Sequence, residues 1–297
     1  MKISRVGCFG KIPTQGDFVR HHAEPFAYAG LDRWLQEGLA TLARSGVVLS
    51  PSRFLFLAGD AMLGGVLVPS RDQVGRQFPL AVFVVVAGAS DAARLSPILL
   101  GDFMTAAEAV ADVAVRGMDL AVLRQHVDSL RGVVAEETAK ATLGDYCDAT
   151  PLRAFAADVL GHDDLPVIED WFTNVVASVG NAEPPRYVVR SVVVDQATWL
   201  AAWLSLVGAA SRHPVQLALW ERVGAAGISS CRVIFDTPHA RYAAPMLNPH
   251  ASGDLVFDVT PQATVATRPG AANDWARALV GDGSGSVATS LGRARAR

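Results

Sequence analysis

Apolar and polar positions along this chain fall into blocks of helical and of strand period. Between Pro25 and Arg44, the residues Leu31, Trp34, Leu35, Leu39 and Leu42 recur every three or four positions, with Asp32, Arg33, Gln36 and Glu37 between them. One apolar stripe of that spacing predicts an amphipathic helix, and Gly46 is placed to stop it. Residues 5–12 read as an opening strand, and Thr14-Gln15-Gly16-Asp17 has turn composition. Three short strands are predicted at residues 54–57, 65–68 and 80–86, and the short connections between them favour antiparallel neighbours. The third belongs to an unbroken apolar run, as in a central strand buried on both faces. Ser96-Pro97 opens a predicted helix reaching Val115. Another starts at Asp119, with Leu120, Leu123, Val127 and Leu130 on one stripe.

Residues 136–149 are polar and contain Gly144, Asp145 and Asp148, which places a boundary near residue 135. Beyond it come a helix marked by Ile168, Phe172, Val175, Val176 and Val179, a β-branched strand at 187–194, and a helix carrying Trp199, Leu200, Trp203, Leu204 and Val207. Residues 216–220 and 231–235 flank Gly224-Ala225-Ala226-Gly227 and read as a hairpin. The expected fold class is therefore α/β of the α+β kind. An N-terminal domain over residues 1–135 holds a mixed, largely antiparallel sheet flanked by helices, and a smaller α/β domain follows over 136–270. Residues 271–297, rich in Ala, Gly, Ser and Arg, are expected to be a flexible tail in which only 274–280 is helical.

Composition narrows the function classes. A chain of 297 residues with 51% hydrophobic content can bury a real core, which excludes disorder of the whole chain. Lys and Arg total 26 against 29 acidic residues, without long basic runs, so a dedicated nucleic-acid binder is excluded as well. The three cysteines, Cys8, Cys147 and Cys231, are odd in number and far apart. They fit neither a disulfide framework nor a zinc site, and buried, inert thiols in a reducing compartment are expected. The apolar run at 80–89 is about half the length of a membrane-spanning helix. No apolar stretch follows Met1-Lys2-Ile3-Ser4-Arg5, as a secretory signal would require. A soluble, cytoplasmic protein is the expectation.

Candidate chemistry is sparse. Gly7, Gly10 and Lys11 fail the phosphate-loop pattern, because only two residues separate the glycines and Ile12-Pro13 follows the lysine. The seven histidines show no ligand spacing; His21 and His22 are adjacent, and neighbours on a strand or helix point different ways. No nucleophile elbow of the Gly-x-Ser-x-Gly form is present. Neither a catalytic set, nor a metal, nor a cofactor is expected. Two clusters stand out instead, each placing Gly and Pro around charges beside a strand. One is Gly10-Lys11-Ile12-Pro13-Thr14-Gln15-Gly16-Asp17-Phe18-Val19-Arg20; the other is Val68-Pro69-Ser70-Arg71-Asp72-Gln73-Val74-Gly75-Arg76-Gln77-Phe78-Pro79-Leu80. Opposite charges in two rigid loops beside one sheet suggest that Asp17 or Asp72 pairs with Arg76 or Arg20, and Asp17 with Arg76 is the pair expected.

Those clusters carry a resemblance. Gly7-x-Phe9-Gly10-Lys11-x-Pro13-x-x-Gly16-Asp17-Phe18-Val19-Arg20 resembles the opening of the TagF (ImpM-like) accessory proteins of the bacterial type VI secretion system. Asp32-x-Trp34-Leu35-Gln36-x-Gly38-Leu39 and Gly65-Val66-Leu67-x-Pro69-Ser70-x-Asp72-x-x-Gly75-Arg76-x-Phe78-Pro79-Leu80 follow in the same order, so the resemblance spans residues 3–130. It implies a cytoplasmic regulator, not an enzyme, that restrains secretion post-translationally by binding the system's forkhead-associated-domain scaffold protein. The paired-Asp metal motif of the PP2C-type phosphatase domain fused to some relatives is not expected in this chain. The partner surface implied comprises Lys11, Pro13, Gly16, Asp17, Phe18, Arg20, Ser70, Asp72, Gly75, Arg76 and Phe78. The competing reading is a small-molecule-binding or hydrolytic enzyme with a pocket between the two domains.

Overall fold

In a computed structural model, the structure describes residues 2–23, 25–42, 49–87, 92–180, 183–211, 213–222, 228–248, 250–259, 271–281 and 284–295. The first part of the chain runs β1 (Lys2–Ile3), β2 (Gly7–Gly10), β3 (Val19–His21), α1 (Pro25–Leu42), β4 (Ser52–Ala58), β5 (Ala61–Val68), β6 (Leu80–Ala87), α2 (Ala92–Val115) and α3 (Leu120–Ser129). It continues with α4 (Glu136–Ala149), α5 (Leu152–Leu160), α6 (Leu165–Val179), β7 (Val188–Val194), α7 (Ala197–Ala210), β8 (Leu217–Arg222) and β9 (Ile228–Ile234). A short 3₁₀ turn, Ala240–Tyr242, leads to α8 (Ala243–Leu247), β10 (Val256–Asp258), α9 (Ala271–Val280) and α10 (Val287–Arg295).

The fold is mixed α/β, with a largely antiparallel sheet as expected. Its strands lie in the order β10-β7-β9-β8-β4-β5-β6-β2-β3, with β1 also on β6. Only β10 and β7 run parallel among the described residues. The apolar run of β6 is interior, between β5 and β2, with Leu80, Val82 and Val84 fully buried. The sheet does not stop at the end of the first half: β8 pairs with β4, Phe54 opposite Leu219 and Leu55 opposite Ala218.

Alternation along the strands divides the core between two faces. On one face, α1 buries Leu31, Trp34 and Leu35 against Phe54, Phe56 and Phe83, beside Tyr242 and Met246. On the other, α2 lays Leu99, Leu100, Phe103 and Met104 over Leu55, Met62, Val66 and Val82. Behind α2, Trp171 stacks on Trp203 at 5.3 Å and Phe155 on Trp199 at 4.4 Å.

Three expectations need correction. Helix α2 begins at Ala92, so Pro97 lies inside it. Ser96 Oγ donates to Ala93 O at 2.6 Å, occupying the carbonyl that Pro97, lacking an N–H, leaves without its helical partner. Residues 136–149, read only as a polar segment, are α4, which buries Ala139, Leu143 and Cys147 at four-residue intervals. The segment read as a flexible tail contains α9 and α10, which bury Ala276, Leu279, Val280, Val287 and Leu291 in the main core. Ser290 Oγ donates to Leu279 O at 3.0 Å, and Leu152 N to Gly285 O at 3.0 Å, so this segment is bonded to itself and to the middle of the chain. The expected hairpin turn at 224–227 lies outside the described residues, although β8 and β9 pair antiparallel as anticipated.

Candidate functional site

The two Gly/Pro-rich clusters fold against each other at one end of β2, β5 and β6. Strand β2 ends at Gly10, whose φ of +134° and 2.2 Å clearance between an added Cβ and Pro79 O admit only glycine. The turn that follows sends Lys11 inward, where its Nζ donates to Asp72 Oδ2 at 2.9 Å with both side chains buried.

Asp72 organises the second loop. Its Oδ1 accepts the backbone N–H groups of Val74 (3.1 Å) and Arg76 (2.8 Å). Its Oδ2 accepts Lys11 and, at 2.6 Å, Arg76 Nε. Its backbone closes the loop as well, with Asp72 N bonded to Arg76 O at 3.1 Å and Gly75 N to Asp72 O at 3.0 Å. Burial opposes the charge on Asp72, but the Lys11 hydrogen bond and the Arg76 backbone and side-chain bonds outweigh it. The carboxyl is therefore held well below the usual carboxylate range.

Two hydrogen bonds tie the loops together: Gln73 N to Gln15 O at 2.8 Å and Arg76 Nη2 to Gly16 O at 2.7 Å. The expected Asp17–Arg76 pair does not form. Arg76 folds back onto Asp72, four residues upstream and fully buried, while Asp17 accepts the N–H of Phe18 at 2.7 Å. The loops thus meet as anticipated, through a different acceptor.

The expected partner residues divide into two sets. Lys11, Asp72 and Phe78 are buried; Gly16, Asp17, Arg20, Gly75 and Arg76 are exposed, and Pro13, Phe18 and Ser70 are half-buried. Phe18 packs edge-on against Phe78 at 4.9 Å, with Lys11 Nζ 5.1 Å and Arg20 Cζ 5.9 Å from its ring centre. With four donors on two oxygens, Asp72 is a brace and not a free acid or base. Beside the rim lies an apolar groove of 320 Å³ lined by Leu39, Leu42, Leu49, Pro69, Phe78 and Pro79, and Val74 at the loop tip is 72% exposed. Ser70 Oγ in this lining is buried without a hydrogen-bond partner among the described residues. The tip and groove gave no sequence signal, because a lone valine in a polar loop and leucines shared with a helix stripe read as ordinary.

A second cluster contradicts a sequence expectation. His21 and His22 do not diverge: both Nε2 atoms reach Asp128 Oδ1, at 2.8 and 2.9 Å, and the rings lie 3.9 Å apart. His22 has φ +46°, alone in that region among the described non-glycine residues, and this turn brings its ring beside that of His21. Hydrogen bonding from His21, opposed by burial and aided by His22, holds the Asp128 carboxyl below its ordinary value. The three cysteines are buried, and burial pushes the thiols of Cys8 and Cys231 up to about 12.

No described helix is long and apolar enough to cross a membrane. Residues 7–130 match the TagF N-terminal domain family, which is type VI secretion system-associated. No curated protein matches the chain significantly. Among solved structures, the crystal structure of PA0076 from Pseudomonas aeruginosa PAO1 is similar, with a TM-score of 0.49 and 19% identity over 89% of this chain and 99% of that one.

Proposed function

Because residues 7–130 belong to the type VI secretion system-associated TagF N-terminal domain family, we propose that this chain is a cytoplasmic accessory protein that holds secretion off by binding the system's forkhead-associated-domain scaffold. The observation that carries this reading is the division of the two loops into a buried brace and an exposed rim. Lys11 and Asp72 fix the loop shapes from within, and Asp17, Arg20, Gly75 and Arg76 are presented outward next to an apolar groove. A rigid, charged rim around a half-buried aromatic suits a protein partner: rim charges steer association, while an anchor such as Phe18 supplies affinity. No nucleophile–base pair stands among these residues, which favours an interaction surface over an active site.

Calorimetry of the purified chain with the scaffold, phosphorylated and unphosphorylated, tests this. Phe18→Ala is expected to weaken binding by roughly 30-fold or more, as hot-spot anchors do, and Arg76→Ala and Arg20→Ala by less, mainly through association rate. Unchanged affinity in folded variants would remove the loops from the interface. Wild-type chain that binds neither scaffold form would refute the adaptor reading.

One observation favours an enzymatic alternative. A 460 Å³ cleft opens between α2 and strands β4 and β8, lined by Arg53, Glu108, Asp195 and Ser229 among others. Arg53 is engaged there by Glu108 at 2.7 and 2.9 Å and by Thr105 at 3.0 Å. Turnover of a small-molecule ester or phosphoester, abolished by Ser229→Ala, would establish that reading.

A further inference from the structure

We propose that His21, His22 and Asp128 form a binding site for a divalent transition-metal ion, apart from the two loops described above. The ligands come from two elements: the end of β3 with the residue after it, and the last turn of α3. One ligand atom from each residue lies within 4.8 Å of the others. Both imidazole Nε2 atoms stand 2.8–2.9 Å from a single carboxylate oxygen. Around a tetrahedral ion with bonds of about 2.0–2.1 Å, ligand atoms are about 3.3–3.4 Å apart, so each nitrogen–oxygen separation has to open by only about 0.5 Å for the three residues to share one ion.

The residue types select the ion. Two imidazoles and a carboxylate favour Zn²⁺, Co²⁺, Ni²⁺ or Fe²⁺ over Mg²⁺ and Ca²⁺, which prefer oxygen shells. Three protein ligands leave at least one position for water or for a side chain of a partner. Asp128 and the His22 ring, with side chains 51% and 29% exposed, open the site to solvent.

The surroundings hold this arrangement in place. Adjacent residues of an extended strand face opposite ways; the positive φ of His22 reverses that and sets its ring beside the first. His21 lies across the ladder from the fully buried Cys8, which anchors its backbone in the sheet. Arg131 Nη1 donates to Asp128 O and Leu130 O, both at 2.8 Å, and fixes the chain where α3 ends. A bound ion would cross-link β3 to α3, about 106 residues later in the chain.

The full-length chain, freed of any affinity tag and treated with EDTA, is titrated with ZnCl₂ by calorimetry and with CoCl₂ by visible absorption. One Zn²⁺ per chain is expected, with a rise in melting temperature and a Co²⁺ d–d band. Asp128→Ala and His22→Gly are each expected to weaken Zn²⁺ binding at least ~10-fold and to abolish the Co²⁺ band. His22→Gly keeps the fold testable, because glycine accepts φ +46° without strain. His126→Ala, exposed on the same helix, should leave binding unchanged. Failure of the wild type to take up Zn²⁺ stoichiometrically, or undiminished uptake by Asp128→Ala, would overturn the proposal and leave a carboxylate bridged by two imidazoles.

Discussion

Replacing Arg232 by methionine tests how the centre of the sheet tolerates charge. Arg232 on β9 is fully buried, and its partner Glu221 on β8 is 5% exposed. The two lie diagonally across the ladder, since Leu219 faces Arg232 and Ser230 faces Glu221. Arg232 Nη1 approaches Glu221 Oε1 at 3.0 Å. Yet the geometry gives neither carboxylate oxygen nor any guanidinium nitrogen a directed hydrogen bond among the described residues. Burial pulls the Arg232 pKa down, and the charge of Glu221 works against that. The pair therefore bears a desolvation cost that its single approach offsets poorly. Arg232→Met leaves a buried, unpaired carboxylate and should destabilise the chain by about 3–5 kcal/mol. With a urea m-value of about 3 kcal/mol/M for a chain of this size, the midpoint should fall by about 1–1.7 M. Glu221→Leu combined with Arg232→Met removes both charges and should be neutral or stabilising by about 1–4 kcal/mol. Urea unfolding followed by tryptophan fluorescence reads all three proteins. A single variant within about 1 kcal/mol of wild type, or a double variant as weak as the single, would refute the reasoning.

Two further outcomes follow from the loops. Asp72 has its pKa depressed in the folded state, so the stability it contributes is fully present above its unfolded pKa of about 3.9 and is lost as the pH falls through its folded value. Asp72→Asn should accordingly flatten the acid limb of a stability–pH curve below about pH 4, and an unchanged slope would count against the brace. Gly10→Ala should cost about 2 kcal/mol or more, combining a disfavoured φ with a Cβ 2.2 Å from Pro79 O. Gly75→Ala, at φ +89° in open space, should cost only about 1 kcal/mol. Thermal melts that rank the two glycines the other way would contradict this.

How much was legible in the sequence depends on how local each signal was. The α1 stripe from Leu31 to Leu42, the apolar run of β6 and the Asp119 cap, whose carboxylate accepts Ala121 N–H at 2.7 Å, rest on residues close in sequence. Helix α4 escaped notice because its buried stripe is Ala139, Leu143 and Cys147 amid Thr, Lys, Gly and Asp. Helix α10 buries a serine between Val287 and Leu291, and that serine finds its partner on α9. The two motif loops were recognisable as rigid neighbours, but which carboxylate Arg76 takes depends on Asp72 being buried, which no spacing reveals. The histidine cluster needs one unusual φ and an aspartate from another helix, and neither leaves a pattern in the chain.

The pairing of β4 with β8 has a consequence for synthesis. Phe54 leaves the ribosome about 165 residues before its partner Leu219. At translation rates of about 5–20 residues per second, β4 waits about 8–33 s with one backbone edge unpaired and the aromatic side chains of Phe54 and Phe56 still lacking Leu217 and Leu219 beside them. During that interval the nascent chain offers an edge that the β8 strand of another copy could fill. Faithful pairing of β4 with β8 of its own chain then depends on how fast the second half is delivered, and slow translation between residues 58 and 217 favours exchange of strands between chains.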